Sequence, residues 1–459
     1  MLLFFFDLQW FPRKECGACS DKEFPHHIHI VMNNANIRTQ KAIVLWLSGI
    51  RLEDIRALPE VEILTKHGAQ VELEPSPITG PQAQHYQAFT GVSPARFGFF
   101  DTLMPLCRHP HPPLHQEADG YTVIEERAGR DTAPKMLPDL LRAAGWTVEY
   151  NEIVPTALVS HIWDTTQSAS ASTAATCIIV KCTMGRQASE PTVVAAIGEA
   201  VGVSRAWVGE TGLLALLSDT QPAPLKRFVN FNNFLAEMGV IERDEQTGLI
   251  NWPNSLAYFV GHGQLWVNLL GRDPQGAVYS QDEYEEVRET LVQALPNKLR
   301  DPETGEQVIE HVYQKEELYS GEYLFCAPDL IVVFKPGYVP SLKSTLLNFD
   351  ERTFTLPTAE TTATEGVHPN SAGGFLLLAT PAVVPGVSLV ERALLVAVVP
   401  TLLHALGIKY VGMDSPAVDA LFSPSYLAAH PIGRDKQDQE LSEEDEELVI
   451  NRLRDLGYI

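Results

Sequence analysis

Short, almost unbroken apolar runs recur along this chain, each closed by small or turn-forming residues. Residues 42–47 (AIVLWL) stop at Ser48-Gly49, and 178–181, 213–217 and 374–378 repeat the pattern. An apolar run of this length without polar alternation predicts a strand buried on both faces, as in a mainly parallel sheet covered by helices. Between the runs the spacing turns helical. Leu52, Ile55 and Leu58 share one helix face, 136–144 predict a helix stopped at Gly145, 192–201 predict another, and 394–406 a third that ends at Gly407. Strands at 70–73, 147–150 and 330–334 complete a βαβ order, which makes this an α/β chain.

Between residues 222 and 328 the texture changes. Aromatic and charged residues interleave, and turn formers recur at Gly261-His262-Gly263, Gly271-Arg272-Asp273-Pro274 and Asp301-Pro302-Glu303-Thr304-Gly305. A strand at 264–270 and a helix at 282–295 predict an α+β subdomain over the edge of the sheet. The chain is therefore divided into a tail (1–31), the first part of the core (32–221), an inserted subdomain (222–328), the second part of the core (329–430), and a linker with an acidic helix (431–459). In that last helix Ser442 and Asp445 approximate a capping box, and acidic residues crowd the first turn. Its apolar side, with Leu448, Leu453 and Leu456, must dock either on the same chain or as a homodimer contact.

Length and charge narrow the function. A chain of 459 residues with 45% apolar content can bury a large core. Its 58 acidic and 34 basic residues give a net charge of −24, which opposes binding to nucleic acid or to an anionic membrane face. A local basic pocket for a small phosphorylated ligand is still compatible with that charge. Six scattered cysteines form neither a disulfide framework nor a zinc pattern, so the expected compartment is the reducing cytoplasm. No apolar stretch reaches the roughly 18 residues that a membrane helix needs. In the tail, Cys16, Cys19, His26, His27 and His29 match no common zinc spacing. The preferred reading there is a poorly ordered segment upstream of Met32.

Four segments carry the chemistry: residues 43–49 (IVLWLSG), 79–101 (ending TGVSPARFGFFD), 216–221 (LLSDTQ) and 366–378 (GVHPNSAGGFLLL). In that order they resemble the metal-binding and nucleophile segments of the alkaline phosphatase superfamily, closest to its type I phosphodiesterase/nucleotide pyrophosphatase branch. The likeness runs from about residue 40 to 420 and implies a three-layer α/β/α fold with an inserted α+β subdomain. It also implies two divalent metals, commonly zinc, that activate a threonine or serine for in-line displacement at phosphorus.

The residues at those positions depart from the pattern. Ser48 stands where the family places an aspartate ligand. Thr79 is the candidate nucleophile only if two residues are inserted, since ungapped counting back from Thr90-Gly91 falls on Pro81. Phe97 replaces a motif histidine, and the Ser-Asp-His motif becomes Ser218-Asp219-Thr220. The segment 178–191 supplies neither the aspartate nor the histidine expected there. Asp219 and His368 are the recognisable metal ligands. Stand-ins would have to come from His85, His262, His109, His111 or His115, of which the last three lie in a proline-rich loop and His262 reads as a turn residue.

No G-x-S-x-G elbow, Walker A sequence or H-E-x-x-H is present, and Gly209-Glu210-Thr211-Gly212 reads as a turn. Two readings remain open. One is a divergent phosphodiesterase/phosphohydrolase with a degraded two-metal site, non-catalytic or weakly active. The other is an active metal-dependent phosphohydrolase with ligands from non-standard positions. The metal would be zinc in the second case, and a single ion or none in the first.

Overall fold

The computed structural model describes residues 29–31, 40–105, 123–125, 135–342, 352–358 and 373–432, less 75, 78–79, 102, 185–187, 189, 222–223 and 245. At its centre are seven strands: β1 (Lys41–Ser48), β2 (Ala69–Glu72), β3 (Thr147–Ile153), β4 (Thr176–Thr183), β5 (Leu213–Ser218), β6 (Phe375–Ala379) and β7 (Val387–Ser388). They lie side by side in the order β7-β2-β6-β5-β1-β4-β3, and β6 alone runs against its neighbours. The apolar runs fold as expected because both faces of the sheet are covered.

Alternation along each strand sorts the side chains into two cores. Val44, Trp46, Ile179, Ala215 and Leu217 face one side, packed with Ala83, Ala88 and Phe89 of α2 (Pro81–Thr90). Ile43, Leu45, Ile178, Val180, Leu214 and Leu216 face the other. They meet Leu64 of α1 (Pro59–His67), Ile162 of α3 (Leu158–Ala169), and Ile197 and Val201 of α4 (Pro191–Val208). Helices on both faces make the three layers α/β/α. Among the described residues no helix is long and apolar enough to cross a membrane.

Some expectations needed correction. The helix expected through Leu52, Ile55 and Leu58 is broken into a single turn, Leu52–Ile55, and then α1. Pro59 disfavours helical backbone at the residue before it, and Leu58 is accordingly extended (φ −68°, ψ 131°). Leu330–Phe334, grouped by sequence with the main sheet, belongs to a separate antiparallel sheet ordered Ala257–Val260, Gln264–Val267, Leu330–Phe334, Ile309–Gln314. An apolar run says that a strand is buried, not which sheet buries it. The subdomain's sheet thus continues past residue 328. Its core includes Phe231, Trp266, Leu291 and Leu295, the last two from the helix Gln281–Lys298.

At the amino-terminal side, His29–Val31 pairs antiparallel with Lys409–Val411, so the end of the expected tail is a strand. Cys16, Cys19, His26, His27 and the helix expected at 441–459 lie outside the described residues.

Candidate functional site

In an open, mostly parallel sheet, the loops beyond the carboxyl ends of the strands form the natural crevice. Here β1 ends at Ser48, β5 at Ser218 followed by Asp219, and β4 at Thr183. The ends are laced together. The Ser48 hydroxyl donates to Asp219 Oδ1 at 2.6 Å. The Gly49 N–H donates to the Thr220 carbonyl at 3.2 Å, and the Ser218 hydroxyl donates to that same carbonyl at 2.6 Å. Thr220 therefore serves the site through its backbone.

Helix α2 brings His85 over this point. Its ring packs against Trp46 and Phe89, with centroids 5.1 and 5.3 Å away, and its Nδ1 lies 3.7 Å from Asp219 Oδ2. On the other side of the ring, Lys181 Nζ is 2.9 Å from His85 Nε2 and 3.4 Å from Glu152 Oε1. An ammonium can only donate, so Nε2 accepts and the neutral ring carries its proton on Nδ1, facing Asp219. Lys181 reaches this place because β4 aligns it between Trp46 of β1 and Glu152 of β3, on the face towards α2. Tyr150 donates its hydroxyl to Glu152.

The electrostatics follow from burial opposed by partners. Burial would raise the pKa of Asp219, but His85 and the Ser48 hydroxyl outweigh it and hold the carboxyl below its usual value. Glu152 is likewise held down, with burial outweighed by the Tyr150 hydrogen bond and the Lys181 charge. The result is a continuous chain of Ser48, Asp219, His85, Lys181, Glu152 and Tyr150.

A second buried pair flanks the start of α2. Asp101 is fully buried and accepts from the His262 backbone N–H at 2.9 Å, and its two oxygens lie 2.9 and 3.1 Å from His262 Nδ1. Two glycines make room for it. A Cβ on Gly80 would lie 2.9 Å from Asp101 Oδ1, and one on Gly261 (φ +64°) would lie 2.4 Å from Oδ2. Burial opposes charge on both partners, yet each favours the other's charged form: Asp101 is held below its usual value and His262 above its own. Gly80 caps α2 and His85 lies five residues on, so the two clusters are separated by about 7.5 Å of helix axis.

The structure brings Asp219, Ser48 and Thr220 together, with His85 beside them. Thr79 and His368 lie outside the described residues, as do His109, His111 and His115. Pro81 is the first residue of α2, where its missing N–H costs nothing. Phe97 is buried, its ring 6.3 Å from that of Tyr86. His262 is a turn residue, as read, but one paired to a buried acid. Sequence reasoning missed Asp101, Glu152 and Lys181. Only Lys181 left a trace, as a lone cation inside an apolar strand.

The donor set is poorly matched to two divalent ions. Among the described residues no three His, Cys, Asp or Glu side chains converge as metal ligands. Ser48 offers a neutral hydroxyl that already donates to Asp219, and the Lys181 ammonium sets a positive charge against the Nε2 side of the His85 ring.

No protein-family profile and no curated protein sequence matches the chain. Solved structures do. Murine ectonucleotide pyrophosphatase/phosphodiesterase 5, in an inactive form in complex with AMP, aligns at 13% identity over 84% of this chain and 100% of that one, with a TM-score of 0.52. A second structure of the murine protein gives a TM-score of 0.50 at 13% identity over 84% of this chain. This chain therefore shares its fold with those nucleotide pyrophosphatase/phosphodiesterase structures.

Proposed function

We propose that the chain is a divergent phosphodiesterase/phosphohydrolase-fold protein whose two-metal centre has been replaced by an ionic hydrogen-bond network, leaving it non-catalytic or weakly active towards small phosphorylated ligands. The observation that carries this reading is Lys181, whose Nζ lies 2.9 Å from His85 Nε2 at the carboxyl ends of the strands. An ion shared by Asp219 and His85 Nδ1 would lie across the ring from Nζ, and each unit of like charge at about 6–7 Å costs about 2–3 kcal/mol at an effective dielectric near 20. A cation built into the sheet at this position therefore works against a divalent ion, while it completes the pairing of His85 and Glu152. A cytoplasmic setting is part of the proposal, supported by Cys177 and Cys182, buried thiols that form no disulfide.

One observation favours the other reading, an active metal-dependent phosphohydrolase. His85 Nδ1 stands 3.7 Å from Asp219 Oδ2, so an imidazole and a carboxylate already face each other. Metal analysis of the purified protein after zinc loading, run beside turnover of bis(4-nitrophenyl) phosphate, separates the two. The proposal expects sub-stoichiometric zinc and turnover at or near the buffer rate. Stoichiometric zinc with turnover that disappears in Asp219→Ala would establish the active enzyme instead.

A further inference from the structure

The insertion contains a cavity of about 440 Å³ within the size range of small-molecule sites, and no residue of the main sheet lines it. Lys298, Arg300 and Arg352 surround it. In a chain with 58 acidic and 34 basic residues, a basic side chain ordinarily finds a carboxylate. Here several of the described acids nearby are already taken. Arg227 binds Asp301 at 2.7 Å and Glu303 at 2.9 Å, and Lys226 binds Glu306 at 2.9 Å. The one acid lining the cavity, Glu237, accepts from the Thr353 hydroxyl at 2.6 Å. Among the described residues Lys298 and Arg352 have no carboxylate partner, and Arg300 makes a long bond of 3.4 Å to the Gly305 carbonyl.

The backbone that presents Arg352 is held firmly. The Asn230 side chain donates to the Arg352 carbonyl at 2.6 Å, the Asn230 N–H donates to the Thr353 carbonyl at 2.8 Å, and Phe354–Thr355 pairs with the strand Arg227–Val229. Phe234 and Phe354 add aromatic surface to the same cavity. The planar two-pronged guanidinium can donate to two oxygens of a phosphate or phosphonate at once. We infer that this cavity binds a small aromatic phosphate monoester, with its dianion held by Lys298, Arg300 and Arg352 and its ring against Phe234 and Phe354. The site is independent of Asp219 and of whether the main-sheet centre is catalytic.

Phenylphosphonate, which cannot be hydrolysed as a phosphate ester, is the probe, titrated calorimetrically into the full-length chain. Saturable binding is expected, weakened at least about tenfold in Arg352→Ala and in Lys298→Ala, the worth of one charge-assisted hydrogen bond. Binding should be unchanged in Asp219→Ala, and phenol should not bind. Far-ultraviolet circular dichroism controls for folding, and both replaced cations are exposed. Absence of saturable binding, phenol binding as tightly as phenylphosphonate, or affinity lost in Asp219→Ala but kept in both cation variants would each overturn the inference.

Discussion

Asp219 at the end of β5 and Asp329 just before the strand Leu330–Phe334 are both buried carboxylates, yet their surroundings treat them differently. Asp329 receives Arg272 in a two-pronged grip at 2.8 and 2.6 Å, the Tyr284 hydroxyl at 2.8 Å and the Val267 N–H at 2.8 Å, with Lys315 at 3.5 Å. Asp219, among the described residues, accepts the Ser48 hydroxyl and has the His85 ring and the Trp46 side chain beside it. A saturated acid is a strut that ties a helix, a turn and a strand together. An acid with lone pairs to spare marks a place where the fold has left chemistry possible, and here its neighbours have filled part of that space.

The comparison can be broken from the larger effect downwards. Asp329→Ala should cost about 3 kcal/mol in denaturant unfolding, because it removes the acceptor shared by the partly buried Arg272, the Tyr284 hydroxyl and the Val267 N–H. Asp329→Asn should cost less, since it keeps the shape and one acceptor. A loss from Asp329→Ala no larger than from Asp219→Ala would remove the distinction between strut and spare acid.

Restoring a carboxylate at the main-sheet centre is the next test. Ser48→Asp sets a second acid against Asp219 and should destabilise the protein by on the order of 2 kcal/mol. Zinc should restore the melting temperature only when Lys181→Met is added, since bound ligand stabilises the native state in proportion to its affinity. Recovery by zinc in Ser48→Asp alone would show that Lys181 does not oppose the metal.

The Asp101–His262 pair gives a smaller, pH-dependent effect. Asp101 is depressed below 3.8, so its contribution is present above about that pH and is lost as pH falls through its folded value. His262 is raised above 6.5, so its contribution is present below that pH and is lost as pH rises through its folded value. The stability advantage of the natural chain over Asp101→Asn should therefore be largest between the two values and shrink on either side, as thermal melts across pH would show. At the bottom of the scale, Glu62→Gln removes an exposed pair with Lys66 and should change stability by less than about 0.5 kcal/mol.

Local physics made much of the fold legible. Residues 42–47 and 213–217 could hardly be anything but strands buried on both faces, and the glycines at 145 and 407 end their helices with positive φ as such positions require. The fold family was legible for another reason, the order of four short motifs. What stayed hidden depended on distant partners. Leu330–Phe334 could not reveal its sheet, and Asp101 meets His262 across 161 positions of chain. At the site, Ser48, Asp219 and Thr220 were legible because motif residues cluster at strand ends, and Lys181 was not, because a lysine in a strand announces nothing until its partners on β3 and α2 are known.

The reversed strand β6 has a consequence for the order in which the molecule is made. It lies between β2 and β5, and β2 hydrogen-bonds only to β6 and β7 within the sheet. On a ribosome, β1, β3, β4 and β5 can join as soon as they emerge, but β2 must wait, unpaired, for about three hundred more residues, including the whole insertion, before its partner appears. Closing such distant pairs is entropically slow and leaves strand edges open meanwhile. Residues 69–72 and the β5 edge are therefore where a nascent chain most needs protection from its neighbours.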